Sequence, residues 1–356
     1  MKGLILAGGS GKRLRPITHT GCKQLVPVAN RPILFYVVDN LVEAGVTDIG
    51  VVVSPESSAE ISSALGDGTR WGCRFTLIEQ DRPGGLAHAA RCGRSFLDES
   101  PFVMYLGDNL VGGSIRPMVE RFARGGSSMP SASLLLKEVD HPEAFGVALV
   151  NSSGLIVSLE EKPVNPKSRL VLVGVYLFRQ SIFDAIERVK PSARGELEIT
   201  DAIRVLMDHS GRVDCEVLQS WWLDTGKKDD LLLANDTVLD DRCERRIEGD
   251  VVESTIVGRV TVEAGAHVSR STIRGPVVIG AGARVAGSVI EPFTVVGNGS
   301  HVEDSTLSHS VLMEGCRIMS VSRLSDSLIG RRVVVRQAKA LSGVRLCVGD
   351  DGVVDF

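Results

Sequence analysis

The C-terminal third of the chain carries a period that few folds can satisfy. Val251, Val268, Val285 and Val302 stand 17 residues apart, as do Ile256, Ile273, Ile290 and Leu307, and Val262, Ile279 and Val296. Within a unit the steps run 6, 5 and 6, as from Val262 to Val268, Ile273 and Ile279. One residue drops out near Leu312, and the 17-residue spacing resumes from Leu307 to Leu324, Leu312 to Ile329 and Ile318 to Val335. An aliphatic residue at every fifth or sixth position over about five units predicts a parallel β-helix, each coil a triangle of three short strands. No coil is stable alone, because only stacking buries a continuous core. The pattern begins near residue 245, and the charged segment Asp240–Asp250 (DDRCERRIEGD) is expected as the linker before it.

The first two-thirds has a different texture. Short apolar runs at Gly3–Ala7, Ile49–Val53, Phe75–Ile78 and Phe102–Leu106 alternate with helical patterns opening at Pro32 and covering Leu86–Phe96. That alternation predicts an open α/β sheet. Further on, Phe145–Val150 and Leu155–Leu159 read as a hairpin and Val171–Phe178 as a strand, which makes the sheet mixed. Helices are expected at Ser181–Val189, Ile199–His209 and Lys227–Leu239. Ligands of open α/β sheets bind beyond the carboxyl ends of the strands. The residues after Ala7 and after Leu106 therefore come first as site candidates.

Composition narrows the function classes. A net charge of −4 with 43% hydrophobic residues is ordinary for a folded protein and argues against a dedicated nucleic-acid binder. No apolar run approaches the ~18 residues that span a bilayer. The first apolar stretch ends at Ala7, too short for a secretory signal, so a cytoplasmic location is expected. Seven cysteines, an odd number without CxxC spacing, do not support a disulfide framework or a zinc site and predict reduced, mostly buried thiols.

One local charge imbalance stands out. Residues 1–38 hold six basic residues (Lys2, Lys12, Arg13, Arg15, Lys23 and Arg31) and no acidic one. They surround a glycine-rich turn, Gly8-Gly9-Ser10-Gly11, that directly follows the first apolar run. Glycines let backbone N–H groups approach an anion closely, so the combination points to a phosphate ligand. The turn is neither GxxxxGK[ST] nor GxGxxG.

The segment LAGGSGKRLRPITHTGCKQLVPVANRPILFY closely resembles the signature of the sugar-phosphate nucleotidylyltransferases. The resemblance continues through QDRPGGLAHA (80–89), YLGDN (105–109), FGV (145–147), EEKP (160–163), GVYLF (174–178), GELEITD (195–201) and WWLDTG (221–226). Within that family it is most similar to the long-form glucose-1-phosphate thymidylyltransferases, which end in hexapeptide repeats. The resemblance implies a Rossmann-like nucleotidyltransferase domain over 1–240 and a left-handed β-helix over 241–356. It implies condensation of dTTP with glucose 1-phosphate to dTDP-glucose and pyrophosphate, with Mg²⁺ as cofactor. UTP or another sugar 1-phosphate is the alternative substrate, and a catalytically silent nucleotide-sugar sensor is the non-enzymatic one. Hexapeptide β-helices also occur in acyltransferases, so a second activity is a further alternative. A homo-oligomer is expected, with neither nucleic-acid nor membrane partners.

The same resemblance distributes roles. Arg13 and Lys23 neutralise the triphosphate, and Leu6, Gly8, Gly9, Ser10 and Gly11 cradle it. Gln24, Gln80 and Gly85 contact the base, where a carboxamide suits a pyrimidine imide edge. Asn109, Gly146, Glu161 and Gly174 line the sugar pocket, and Lys162 holds the sugar phosphate. Asp108, which also contacts the nucleotide, and Asp224 are the expected Mg²⁺ ligands. Lys12 stands where the family has Thr, and Gly84 where a larger residue is usual. Glu196 and Glu198 are read as caps of the following helix, Trp221 and Trp222 as packing residues, and His88 as a packing residue of its own helix.

Overall fold

The computed structural model describes all residues except Ser10, 125–129, Ser210, 338–344 and Phe356. Its contacts group into two compact units, one of Met1–Ser10 with Ile33–Asp224, the other of Gly11–Pro32 with Thr225–Phe356.

The first unit is built on a nine-stranded mixed sheet. Its first strand, Lys2–Leu6, is an interior one, with Gly3–Leu6 buried on both faces, as a strand covered by helices must be. It pairs in parallel with Asp48–Val53 and Phe102–Leu106, and Asp48–Val53 pairs in parallel with Arg74–Glu79. Leu170–Phe178 reverses direction against Phe102–Leu106 and carries Ala132–Glu138 antiparallel to it. Val213–Val217 adds a parallel edge, and the hairpin Gly146–Val150 with Ile156–Glu161 joins where Val147 meets Val171. The expected single helix Leu86–Phe96 is instead two, Leu86–Cys92 and Arg94–Leu97. Gly93 separates them, and a Cβ there would stand 2.7 Å from Leu4 Cδ1, so a side chain would collide with the central strand.

The second unit contains the β-helix, of the left-handed hexapeptide type. Three parallel sheets of seven, seven and five strands form its faces. The register follows the sequence period: Val251 pairs with Val268, Ile273 with Ile290 and Val285 with Val302. The dropped residue falls where expected, since Val296 pairs with Leu312, one short of the full period. The repeated aliphatics make one continuous core, with Val268, Ile273, Ile279, Val285, Ile290 and Val296 fully buried. At one corner, Gly265, Gly282, Gly299 and Gly315 all hold a positive φ, which explains why glycine recurs there.

A second periodic column is polar. Ser271, Ser288 and Ser305 are buried, and each hydroxyl donates to the carbonyl two residues earlier. Each also accepts the N–H of its counterpart one coil later, from Ser288, Ser305 and Val321. The column satisfies backbone donors that the tight corner would otherwise leave unpaired.

The segment expected as a linker is helical through Arg242, the end of Lys228–Arg242, and re-enters a sheet at Arg246. His309 ties this helix to the coils. Its Nε2 lies 2.8 Å from Asp236 Oδ2 on the helix, and its Nδ1 lies 2.5 Å from Asp326 Oδ1 one coil on. Burial by itself would lower the His309 pKa. The hydrogen bond to Asp326 and the charge and hydrogen bond of Asp236 outweigh it and raise the value. A folded-state value above the ordinary ~6.5 means this tie is fully present below about pH 6.5 and is lost as pH rises through the raised value. Thermal melting should therefore show the second unit weakening above about pH 6.5, and His309→Gln should remove that pH dependence. An unchanged slope in the variant would assign the effect elsewhere.

Candidate active site

In the first unit the parallel register sets the site. Leu6 pairs with Leu106, so two strands end side by side, and Gly107 N–H donates to the Leu6 carbonyl at 2.9 Å. The turn beginning at Gly8 and the carboxylate of Asp108 therefore emerge from the same end of the sheet, where such folds bind ligands. A Cβ on Gly8 would lie 2.8 Å from Gln80 Oε1, so a side chain there would have to displace the Gln80 amide. Gly9 is exposed, and Ser10 lies outside the described residues.

Gln80 is buried at the end of Arg74–Glu79, the strand beyond Asp48–Val53. Its Nε2 donates to the Gly85 carbonyl at 3.4 Å and lies 3.1 Å from His88 Nδ1. Gly85 has φ 93° and packs against Leu197, where a Cβ would stand 2.5 Å from the Leu197 carbonyl oxygen. The Leu197 N–H in turn donates to the Gly84 carbonyl, so the loops 80–85 and 195–199 are laced together. His88 is buried, and desolvation lowers its pKa against the opposing charge of Asp81.

The two expected metal ligands lie at a strand pair that sequence periodicity did not predict. Trp222–Asp224 pairs antiparallel with Asn109–Val111, which places Asp224 opposite Asn109, the neighbour of Asp108. Asn109 is buried, with its Oδ1 accepting from Trp222 Nε1 at 2.7 Å and its Nδ2 donating to Asp108 Oδ1 at 3.0 Å. Trp222 is thus more than a packing residue, because it fixes the amide that orients Asp108. The two carboxylates offer oxygen alone, the donor type that suits Mg²⁺. In this respect the residues fit the cation that the resemblance implies.

Trp222 also connects to the expected sugar pocket, with its ring edge-on to Phe145 at 5.1 Å. The Phe145 carbonyl accepts the Lys162 N–H at 3.0 Å, where Lys162 holds φ 44°. Lys162 Nζ lies 3.5 Å from Glu161 Oε1, and Thr200 Oγ1 donates to Glu161 Oε2 at 3.2 Å. Gly146 belongs to the same cluster, where a Cβ would press on Leu172 at 2.9 Å, Thr200 at 2.9 Å and Glu161 at 3.3 Å. Gly174 has φ 83° inside its strand and packs against Leu106, at a register shift against Ala132–Glu138. Such a bulge re-aims the strand beside a site.

Glu198 corrects the capping expectation. It occupies the N-cap position of Ile199–Asp208 but makes no side-chain cap bond. Its buried carboxylate accepts instead from Ser192 Oγ at 2.8 Å and Arg194 at 2.9 Å. Arg194 also reaches Glu161 at 3.5 Å, so Arg194, Glu198 and Thr200 join the Glu161 cluster. The motif GELEITD was the available signal, read as capping because it precedes a helix.

The second unit carries the remaining candidates. Gly11 has φ 60°, its carbonyl accepts from Thr18 Oγ1 at 2.7 Å, and a Cβ on it would lie 2.9 Å from Lys23 Cβ. Lys23 and Gln24 are buried in the short turn Lys23–Leu25, and Gln24 Oε1 accepts from the Cys22 thiol at 2.7 Å. Lys12 and Arg13 are exposed in the turn Lys12–Leu14, which Leu14 anchors. None of the seven cysteines is in a disulfide, but of them only Cys22, Cys243 and Cys316 are buried, so the expectation of mostly buried thiols fails.

Comparison with known proteins gives the family. The family model "Nucleotidyl transferase" matches residues 2–241. The chain belongs to the nucleotidyl transferase family. It is 47% identical to a glucose-1-phosphate thymidylyltransferase of Streptomyces antibioticus, over 100% of this chain and 99% of that one. A solved Bacillus anthracis structure named for the same activity has a TM-score of 0.61 and 40% identity, covering 66% of this chain and 94% of that one. A UDP-glucose pyrophosphorylase complexed with UDP-glucose shares the fold at 24% identity and a TM-score of 0.60, covering 68% and 99%. The family sets the reaction class.

Trp222→Phe keeps an aromatic ring beside Phe145 and deletes the indole N–H that bonds Asn109. Leaving that buried oxygen unpaired should cost about 1–3 kcal/mol in urea unfolding. An unaltered midpoint would show that the bond contributes nothing.

Proposed function

We propose that the protein condenses dTTP with glucose 1-phosphate to dTDP-glucose and pyrophosphate. A phosphate oxygen of the sugar attacks the α-phosphorus, the new O–P bond forms, and the bond to the β-phosphate breaks. The attacking phosphate is already ionised, so the protein needs neither a nucleophile nor a general base. Its work is positioning and charge neutralisation.

The observation that carries this reading is the antiparallel strand pair that sets Asp224 opposite Asn109, the neighbour of Asp108. The 47% identity to a thymidylyltransferase along the whole chain supports the substrate pair. In the proposed division of roles, Asp108 and Asp224 hold Mg²⁺, which when bound supplies Lewis acidity and a template for phosphate oxygens. Arg13 and Lys23 neutralise the triphosphate, cradled by Leu6, Gly8, Gly9, Ser10 and Gly11. Gln80, Gln24 and Gly85 select the base. Glu161, Asn109, Gly146 and Gly174 receive the sugar, and Lys162 its phosphate. We extend the set by one supporting residue: Arg194 holds Glu161 in place rather than touching the reacting atoms. The same reading makes the protein a cytoplasmic homo-oligomer without nucleic-acid or membrane partners. The net charge of −4 supports the absence of nucleic acid, and no described helix is long and apolar enough to cross a membrane.

Pyrophosphate release with Mg²⁺, measured for dTTP, UTP, ATP, CTP and GTP against several sugar 1-phosphates, should peak at dTTP with glucose 1-phosphate. A peak elsewhere overturns the substrate assignment, and silence with nucleotide binding intact favours the sensor. Asp108→Asn and Asp224→Asn should each lower kcat about a hundredfold or more with the fold retained. Full turnover in both would remove the metal assignment. Lys12→Thr should keep activity if the turn acts through its backbone.

A further inference from the structure

Three side chains of unlike chemistry meet beside Gln80. Asp81, His88 and Cys92 each offer one ligand atom, and these atoms all lie within 4.8 Å of one another. His88 and Cys92 are four residues apart on Leu86–Cys92 and so share one helix face. Asp81 comes from the preceding loop, with its Oδ1 3.4 Å from His88 Nε2. Imidazole, thiol and carboxylate together suit a borderline-soft divalent cation such as Zn²⁺, whereas Mg²⁺ takes oxygen. His88 is almost wholly buried, while the Asp81 side chain is 68% exposed, so the cluster has a rigid base and an open approach. Three protein ligands leave a fourth tetrahedral position for water.

The hydrogen bonds around His88 give this cluster a consequence. Gln80 Nε2 faces two acceptors, the Gly85 carbonyl and His88 Nδ1. The carbonyl can only accept, which identifies this end of the amide as the NH₂. His88 Nδ1 is then the lone-pair nitrogen, and the ring proton sits on Nε2, facing Asp81. A cation on Nε2 takes that proton's place. The neutral ring must then carry its proton on Nδ1, so two donors would face each other across 3.1 Å. The conflict is relieved when the Gln80 amide turns over, giving up the Gly85 carbonyl and exchanging the donor and acceptor it presents beside Gly8.

We propose that Asp81, His88 and Cys92 form a site for a zinc-class divalent cation, and that filling it inverts the Gln80 carboxamide and weakens nucleotide binding. Binding releases the thiol proton to solvent and moves the imidazole proton from Nε2 to Nδ1, with no redox change. The effect on nucleotide rests on the role proposed for Gln80 in base recognition, whereas the cation site does not.

The test has two arms. Metal-free protein is titrated with Co²⁺ without nucleotide, following the thiolate-to-cobalt charge-transfer band and the tetrahedral d–d bands. Wild type and Cys347→Ser should bind one equivalent with both sets of bands. Cys92→Ser should lose the charge-transfer band and bind about tenfold or more weaker. An absent band, or one that survives in Cys92→Ser, overturns the site. In the second arm, dTTP affinity is compared between zinc-loaded, desalted protein and metal-free protein. Wild type should weaken about tenfold on zinc loading and Cys92→Ser should not change. Unchanged wild-type affinity after cobalt has bound overturns the coupling to Gln80. Failure of both forms to bind dTTP strikes the substrate reading, and the cobalt result still decides the site.

Discussion

The parallel register of Leu6 against Leu106 is the constraint on which the rest of the first unit depends. Because the two strands end level, the glycine turn and Asp108 leave the sheet at one edge. Everything else in that unit is aimed at this edge. Gln80 closes on Gly8 from the end of Arg74–Glu79, and pairing with Asn109–Val111 sets Asp224 opposite Asn109, the neighbour of Asp108. A shift of register would separate the turn from the carboxylate and turn buried side chains outward. The fully buried residues that lock it, Leu4, Ile5, Phe102 and Met104, carry no chemistry yet determine where the chemistry lies.

The second unit has its own logic. Its β-helix stacks a period of 17 residues into three flat faces, whose corners leave side chains free to grip another segment. The segment gripped is Gly11–Pro32, which holds Arg13 and Lys23. Asn30 Nδ2 donates to Asn298 at 2.8 Å and to Glu263 at 3.2 Å, both on coil corners. Ala29 N–H donates to Asn235 at 3.1 Å, and Asn235 in turn donates to the Phe293 carbonyl at 3.3 Å. Thr20 adds a bond to Asp350 at 2.5 Å. The coils and the helix Lys228–Arg242 therefore hold the segment Gly11–Pro32, the most basic stretch of the sequence, at Thr20, Ala29 and Asn30.

How much of this was legible depended on the range of the interaction. The β-helix register, including its single dropped residue, could be read because each coil repeats the same nearest-neighbour contact. The strands Lys2–Leu6 and Phe102–Leu106 were legible because burial on both faces makes a continuous apolar run. Ala132–Glu138 and Val213–Val217 were missed, since their pairing lies between distant segments of mixed polarity. The Asn109–Val111 and Trp222–Asp224 pair was missed for the same reason, being two three-residue strands more than a hundred positions apart. Glu198 was misread because its position before a helix favours a cap, while its side chain answers to Arg194. The Asp81, His88 and Cys92 cluster escaped notice because it joins a loop residue to an i, i+4 helix pair and matches no contiguous motif.

The charge pattern adds an argument about mechanism that geometry alone does not. A site for two polyanions would be expected to present cations only, yet the edge after Leu106 presents Asp108 with Asp224 folded beside it. Carboxylates at such a place would repel the phosphates of the proposed substrates. That arrangement makes electrostatic sense when a divalent cation intervenes, since a cation between carboxylate and phosphate converts two repulsions into two attractions. The bonds from Trp222 to Asn109 and from Asn109 to Asp108 fit this account. They fix one carboxylate oxygen in advance, so that little reorganisation is required when charge arrives.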